Sequence, residues 1–112
     1  HAAGGSGVGV FAAAQESDFI AIGANSNQNI IDPDHIVASM LKRVDVAAYD
    51  IVKAALEGDL QVGSEMVLGL EDEGIGYTLD GSNIKVPEDV VEKLEEIKEK
   101  IIAGEIQVPV EL

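Results

Sequence analysis

The sequence predicts an α/β fold in which helices cover a parallel sheet, and three observations carry that prediction. Apolar residues make up 46% of the 112-residue chain while aromatics make up only 4%, so the core has to be assembled from Ile, Val, Leu and Ala. Segments with helical apolar spacing alternate with short continuous apolar runs, which is how strands covered on both faces read in sequence. Polar loops follow those runs, and open α/β sheets bind ligands beside the C-terminal ends of their strands. The length suits one small domain and is short for a cleft between two lobes.

Gly4, Gly5, Gly7 and Gly9 predict a flexible turn leading into a short helix whose apolar residues are Val10, Phe11, Ala13 and Ala14, ending near Glu16. Residues 18–23, DFIAIG, read as a buried strand. The following stretch, 24–34, is ANSNQNIIDPD, and its Asn, Asp and Pro residues favour a loop because their side chains bond local backbone groups. A second strand is expected over 35–41, then a helix over 43–56 that Gly58 stops. Residues 65–70 form a third apolar run, 71–74 an acidic turn and 75–79 a further short strand. Pro87 suits the first position of a helix in which Val90, Val91, Leu94, Ile97, Ile101 and Ile102 form one stripe, with Glu and Lys opposite. Gly104 caps it, and 105–108 reads as a last extended stretch.

Seven basic against 21 acidic residues leave a net charge of −14. A field of that sign repels nucleic acid backbones and anionic membrane surfaces, so nucleic acid is excluded as a partner. Cysteine is absent, which removes disulfides, thiolate metal sites and thiol nucleophiles. No apolar run approaches the roughly 18 residues of a membrane span. The two histidines, His1 and His35, have no HxxxH partner, and no metal or cofactor is expected. No GxSxG elbow, GxGxxG fingerprint or GK[ST] phosphate loop occurs, and the acids 71–73 sit in a glycine-ended turn where carboxylates are solvated. No catalytic residue is assigned.

Two loops remain as candidates for binding. Glycines at 4–9 let the main chain and a helix N-terminus approach a polar ligand group, although a tight strand-to-helix turn is the plainer explanation. Asn25, Ser26, Asn27, Gln28 and Asn29 offer neutral donors and acceptors suited to hydroxyls or a base edge, and turn formation explains them equally. Lys42 is placed to reach a cleft while Arg43 pairs with nearby acids.

The segments HAAGGSGVGVFAAAQE, IAIGANSNQN, ASMLKRVDVAAYDIV and VPEDVVEKLEEIKEKIIAGEIQVP, in that order and across nearly the whole chain, resemble the C-terminal half of the basic membrane lipoprotein family of solute-binding proteins, of the purine-nucleoside receptor type. The resemblance implies a type I periplasmic-binding-protein fold, with two Rossmann-like lobes that close on a solute delivered to the permease of an ABC transporter. Residues 1–35 would belong to the second lobe, and 36–112 would cross the hinge and complete part of the first. Upstream strands, stacking aromatics and a lipid anchor would lie before His1, and apolar edges and helix faces of the present chain would be left uncovered without them. The anchor is the expected link to the extracellular face of the cell membrane or the periplasm.

By the same resemblance Gly4 and Gly5 lie against the ligand, Asn25 falls where an acidic residue commonly grips ribose hydroxyls, and Lys42 matches the lysine that assists it. With Asn27 from the same loop, these are the five candidate ligand-binding residues. Asn25 departs from the acidic pattern and is expected to hold a diol less strongly than a carboxylate would. The competing expectation is a ligand-sensing regulatory lipoprotein of the same fold with no part in transport.

Overall fold

A computed structural model describes residues 4–109. His1, the two alanines after it and the last three residues lie outside that range.

A single 3-10 turn, Gly4–Ser6, leads directly into α1, Gly7–Ser17. The glycines expected to form a flexible turn therefore divide: Gly7 and Gly9 are helical, and Gly7 is buried. The helix ends where Asp18 turns left-handed (φ 52°) and returns its N–H to the carbonyl of Ala14. Strand β1 is only Ala21–Gly23, shorter than the 18–23 run, because 18–20 are consumed in leaving the helix. Strand β2 spans Ile36–Lys42, α2 Val44–Glu57, β3 Ile75–Thr78 and α3 Glu88–Ile102. Gly58 stops α2 in the left-handed conformation, as its position predicts. Pro87 stands one residue outside α3, where its fixed φ leads the chain in; Glu88 and Asp89 then occupy the positive end of the helix dipole and Lys100 the negative end.

The three strands form one sheet in the order β1-β2-β3. β1 and β2 are parallel, with Gly23 beside Ser39, and β2 and β3 are antiparallel, with Lys42 beside Ile75. The direction of β3 corrects the all-parallel expectation. After α2 the chain wanders through 58–74 without a strand and re-enters at the end of β2 that it left, where Arg43 N–H donates to the Gly74 carbonyl at 2.9 Å. A chain that starts again from that end can pair with β2 only by running back along it. The apolar runs at 65–70 and 105–108 form no strand; neither finds a sheet edge among the described residues.

Phe11 and Ala14 of α1 pack on Ala21 of β1 and Ile36 of β2, with Val10 at the margin, and this cluster is the core. Nothing on α2 or α3 is fully buried. Tyr49 and Leu56 of α2 are 67% and 84% exposed, and the stripe of α3 hangs over β2 and β3 across a groove of about 880 Å³ lined by Met40, Tyr77, Leu94 and Ile97. One hydrogen bond, Tyr77 Oη to Glu95 Oε1 at 2.7 Å, spans that groove. It holds the Glu95 carboxyl below its ordinary pKa and pushes the Tyr77 hydroxyl up. The radius of gyration, 16.7 Å, exceeds the ~13 Å of a compact 100-residue domain, in keeping with two helices whose apolar faces are largely uncovered.

Two outcomes follow from this packing. A Cβ on Gly23 would stand 2.5 Å from Ser39 Oγ and 2.9 Å from the Gln28 Cβ, so Gly23→Ala should lower stability by about 1–3 kcal/mol in chemical denaturation, the usual range for overpacking. On α3, Lys93 and Lys100 both bind Glu96 and depress its pKa to about 2. Its folded pKa lies below the unfolded value, so its contribution is complete above about pH 4.5 and is lost as pH falls toward 2. Helical circular dichroism should decline through that window, and Glu96→Gln should flatten the decline.

Candidate ligand-binding site

Asn25 and Lys42 come together because β1 and β2 are parallel neighbours and the chain leaving β1 runs on beside the last residues of β2. From the tip of β1 the chain passes through Ala24 into Asn25, and Lys42 N–H, the last residue of β2, donates to the Asn25 carbonyl at 2.9 Å. Two residues separated by a loop and a strand are thus joined directly. Asn25 is held at φ 70°, a left-handed conformation that asparagine tolerates better than most residues. Its side chain is exposed and makes no hydrogen bond among the described residues.

Apart from the exposed Ser26 hydroxyl, which has no partner among the described residues, the rest of the loop is internally committed. Gln28 Oε1 accepts from Ala24 N–H at 2.7 Å, and Gln28 N–H donates to Ser39 Oγ at 3.0 Å. Ser39 Oγ in turn donates to Asn29 Oδ1 at 2.7 Å. Asn29 Nδ2 reaches the carbonyls of Asp80 at 2.9 Å and Thr78 at 3.3 Å. Asn27 accepts from Asn29 N–H at 3.0 Å and donates to the Asp80 carbonyl at 3.1 Å. Asn29 and Ser39 are fully buried, and a buried amide and hydroxyl need such partners. Of the polar run 25–29, then, Asn25 alone points an unengaged amide outward, while Asn27 is tied into the brace that holds the loop. Sequence reasoning grouped Asn29 with the ligand-facing amides and gave Ser39 no part in holding the loop. The signal was available: a lone hydroxyl in the apolar strand IVASMLK has to find a partner in the sheet's own surroundings.

Lys42 is exposed and has no carboxylate partner among the described residues, whereas its neighbour Arg43 is held by Asp45, with Nε to Oδ1 at 3.0 Å and Nη2 to Oδ2 at 2.9 Å. That hydrogen bonding, reinforced by charge, pushes the Arg43 pKa up and the Asp45 pKa down. The division of labour expected of the pair therefore holds for Arg43. Lys42 lines a groove of about 910 Å³ between α2 and the 59–68 segment, with Val44, Ile51, Leu60 and Met66 among its walls. Asn25 and Gly5 do not line it. Gly4 and Gly5 lie in the turn ahead of α1. Because α1 meets the start of β1 through only residues 18–20, its N-terminus is directed toward the other end of the strands, the end that carries Asn25 and Lys42. Among the described residues no group of three or more His, Asp or Glu side chains could hold a metal, and no helix is long and apolar enough to cross a membrane.

A family described as ABC transporter substrate-binding protein PnrA-like, Bmp, matches residues 1–111. The chain belongs to the Bmp family. Basic membrane protein D of Borreliella burgdorferi is 36% identical over 111 residues, covering 96% of this chain and 33% of that protein. An uncharacterized lipoprotein of Pyrococcus furiosus is 34% identical over 78% of this chain and 25% of its own length. The crystal structure of an ABC transporter system solute-binding protein from Aeropyrum pernix K1 superposes with a TM-score of 0.72 at 28% identity, covering 93% of this chain and 38% of that one. The likeness supports the α/β solute-binding fold expected of a Bmp chain. This chain spans about a third of the length of the curated relatives it matches, less than the half that the motifs implied.

The left-handed turn at Asn25 separates a backbone role from a side-chain role. Asn25→Gly should melt within about a degree of the parent, since glycine adopts φ 70° freely, while Asn25→Ala should lose about 1 kcal/mol; equal melting temperatures for all three would show that the turn is not held as described.

Proposed function

We propose that the protein is the extracytoplasmic solute-binding component of an ABC importer, and that it closes two lobes on a purine-nucleoside-like solute which it releases unchanged. The observation that supports this reading is the main-chain hydrogen bond from Lys42 to Asn25, which brings the backbones of both residues together beyond the C-terminal end of β1, beside the end of its parallel neighbour β2, where ligands sit in folds of this class. Gly4 and Gly5 would line the same edge with main chain, and Asn27 would act mainly by bracing the loop.

In this reading residues 1–35 belong to the second lobe and 36–112 cross the hinge and complete part of the first; the shared sheet of β1 and β2 favours a crossing late in that stretch, after Lys42. The bare faces of α2 and α3 fit a role as surfaces covered by the remainder of a two-lobed receptor. The partner is the permease of the importer, and a lipid anchor upstream of this chain would hold the receptor at the outer face of the membrane. The name of the Pyrococcus furiosus relative as a lipoprotein supports that placement.

The test is a thermal-shift screen followed by calorimetry of the full-length protein against purine nucleosides, free bases, nucleotides and riboflavin. A specific purine compound should raise the melting temperature, with the affinity lowered at least about tenfold by Asn25→Ala or Lys42→Ala. Silence from every compound would remove nucleoside-like solutes as the ligand and favour the sensing role.

A further inference from the structure

Asparagine is among the chemically labile residues, and folding leaves the asparagines of this chain, at 25, 27, 29 and 83, in unequal states. Asn27 accepts from Asn29 N–H and donates to the Asp80 carbonyl. Asn29 is fully buried, its amide shared among Ser39, Thr78 and Asp80. Asn83 Nδ2 donates to Asp34 Oδ1 at 2.8 Å. Asn25 is exposed, and its side chain has no hydrogen bond among the described residues.

The main chain after each amide differs in the same sense. An asparagine loses its amide when the nitrogen of the following residue attacks the side-chain carbonyl carbon, so the state of that nitrogen matters as much as that of the amide. Gln28 N–H, after Asn27, is held by Ser39 Oγ at 3.0 Å, and Ile84 N–H, after Asn83, by Ser82 Oγ at 3.1 Å. Asn29 is followed by the β-branched Ile30. Asn25 is followed by Ser26, small and exposed. Ser26 N–H donates to the Ala24 carbonyl at 2.9 Å across Asn25, whose φ is 70°. That is a γ-turn in its rarer, strained form, which carries ψ of about −65° at the central residue. Such a ψ swings Ser26 N to the side of the chain that bears the Asn25 Cβ, toward the flat ring that attack would close, whereas a left-handed helical ψ would hold it on the far side. The hydrogen bond of so tight a turn is bent, and a bent bond holds its N–H weakly.

We propose that Asn25 is a site of spontaneous deamidation. Ser26 N, giving its proton to hydroxide, bonds to Asn25 Cγ, and Nδ2 takes a proton from water and leaves as ammonia, closing a succinimide. Water then opens the ring at either carbonyl. Opening at Cγ gives aspartate. Opening at the main-chain carbonyl gives isoaspartate, in which the chain runs through Cγ and is lengthened where Lys42 N–H holds it. Water is consumed, ammonia is released, and an exposed neutral amide becomes a carboxylate. The step needs no partner, metal or bound solute, and it is independent of the proposed receptor role.

Peptide mass spectrometry of the full-length protein, held at mildly alkaline pH, follows the change from amide to acid at each asparagine. Conversion at Asn25 should run about tenfold or more faster than at Asn27, Asn29 or Asn83, which must each first give up a hydrogen bond. Chromatography should resolve aspartate and isoaspartate forms of the Asn25 peptide, the mark of the ring. In urea the other three should accelerate and Asn25 should change least, since unfolding releases only their amides. Ser26→Val, shown by its melting curve to be folded, should slow conversion, because a β-branched side chain shields the attacking nitrogen. Conversion at Asn27 or Asn83 matching that at Asn25, an Asn25 left intact, aspartate without isoaspartate, or a rate indifferent to Ser26→Val would each overturn the proposal.

Discussion

The hydrogen bond from Ser39 Oγ to Asn29 Oδ1, 2.7 Å long and wholly buried, is the contact on which the upper edge of the sheet depends. Ser39 sits at the centre of β2, and through it pass the bonds that fix Gln28 on one side and Asn29 on the other. Asn29 then reaches across to the carbonyls of Thr78, at the end of β3, and Asp80 just beyond it. Each of these groups, if left unpaired in the interior, would destabilise the fold by about 1–3 kcal/mol. Their mutual satisfaction is why a five-residue polar stretch between two strands takes one conformation. The absence of a side chain at Gly23 is part of the same arrangement, because the space a Cβ would fill is occupied by Ser39 and Gln28.

Rigidity in that brace has a functional consequence. With Asn27, Gln28 and Asn29 bonded inward, the loop presents Asn25 at a defined place, and the main-chain bond from Lys42 adds a second defined position beside it. If this is the binding edge proposed above, it is organised before any solute arrives, which would lower the entropic cost of association. Polarity that reads in the sequence as one generous binding loop is in fact partitioned. Most of it is structural, and the Asn25 amide and the Ser26 hydroxyl are left exposed without a partner among the described residues.

The lower half of the molecule is governed by a different constraint. The core of Phe11, Ala14, Ala21 and Ile36 is small, and it belongs to α1 and the first two strands. α2 and α3 carry apolar residues at helical spacing but bury none of them fully. Helices in water draw most of their stability from packing of an apolar face, so in a chain spanning about a third of its curated relatives these faces mark where further surface is required.

Much of this was legible in the residues. Gly58 stops α2, Pro87 opens α3, and the apolar stripe of α3 and the order of strand, polar loop, strand and helix follow from local rules, because capping, backbone restriction and side-chain period act over a few residues. The family could be recognised from its motifs, and with it the α/β class. Other features could be decided only by tertiary structure. The antiparallel direction of β3 depends on where 58–74 returns the chain, the fate of 65–70 on whether a sheet edge is within reach, and the burial of Asn29 on a partner ten residues away in β2. Asn25 and Asn27 look alike in sequence, and their separation into an outward amide and an inward brace was set by a carbonyl of Asp80, more than fifty residues along the chain. Sequence by itself determined which elements form, since that rests on local physics; only the assembled sheet decided which polar groups were left facing outward, since that rests on the partners that folding brings within hydrogen-bond reach.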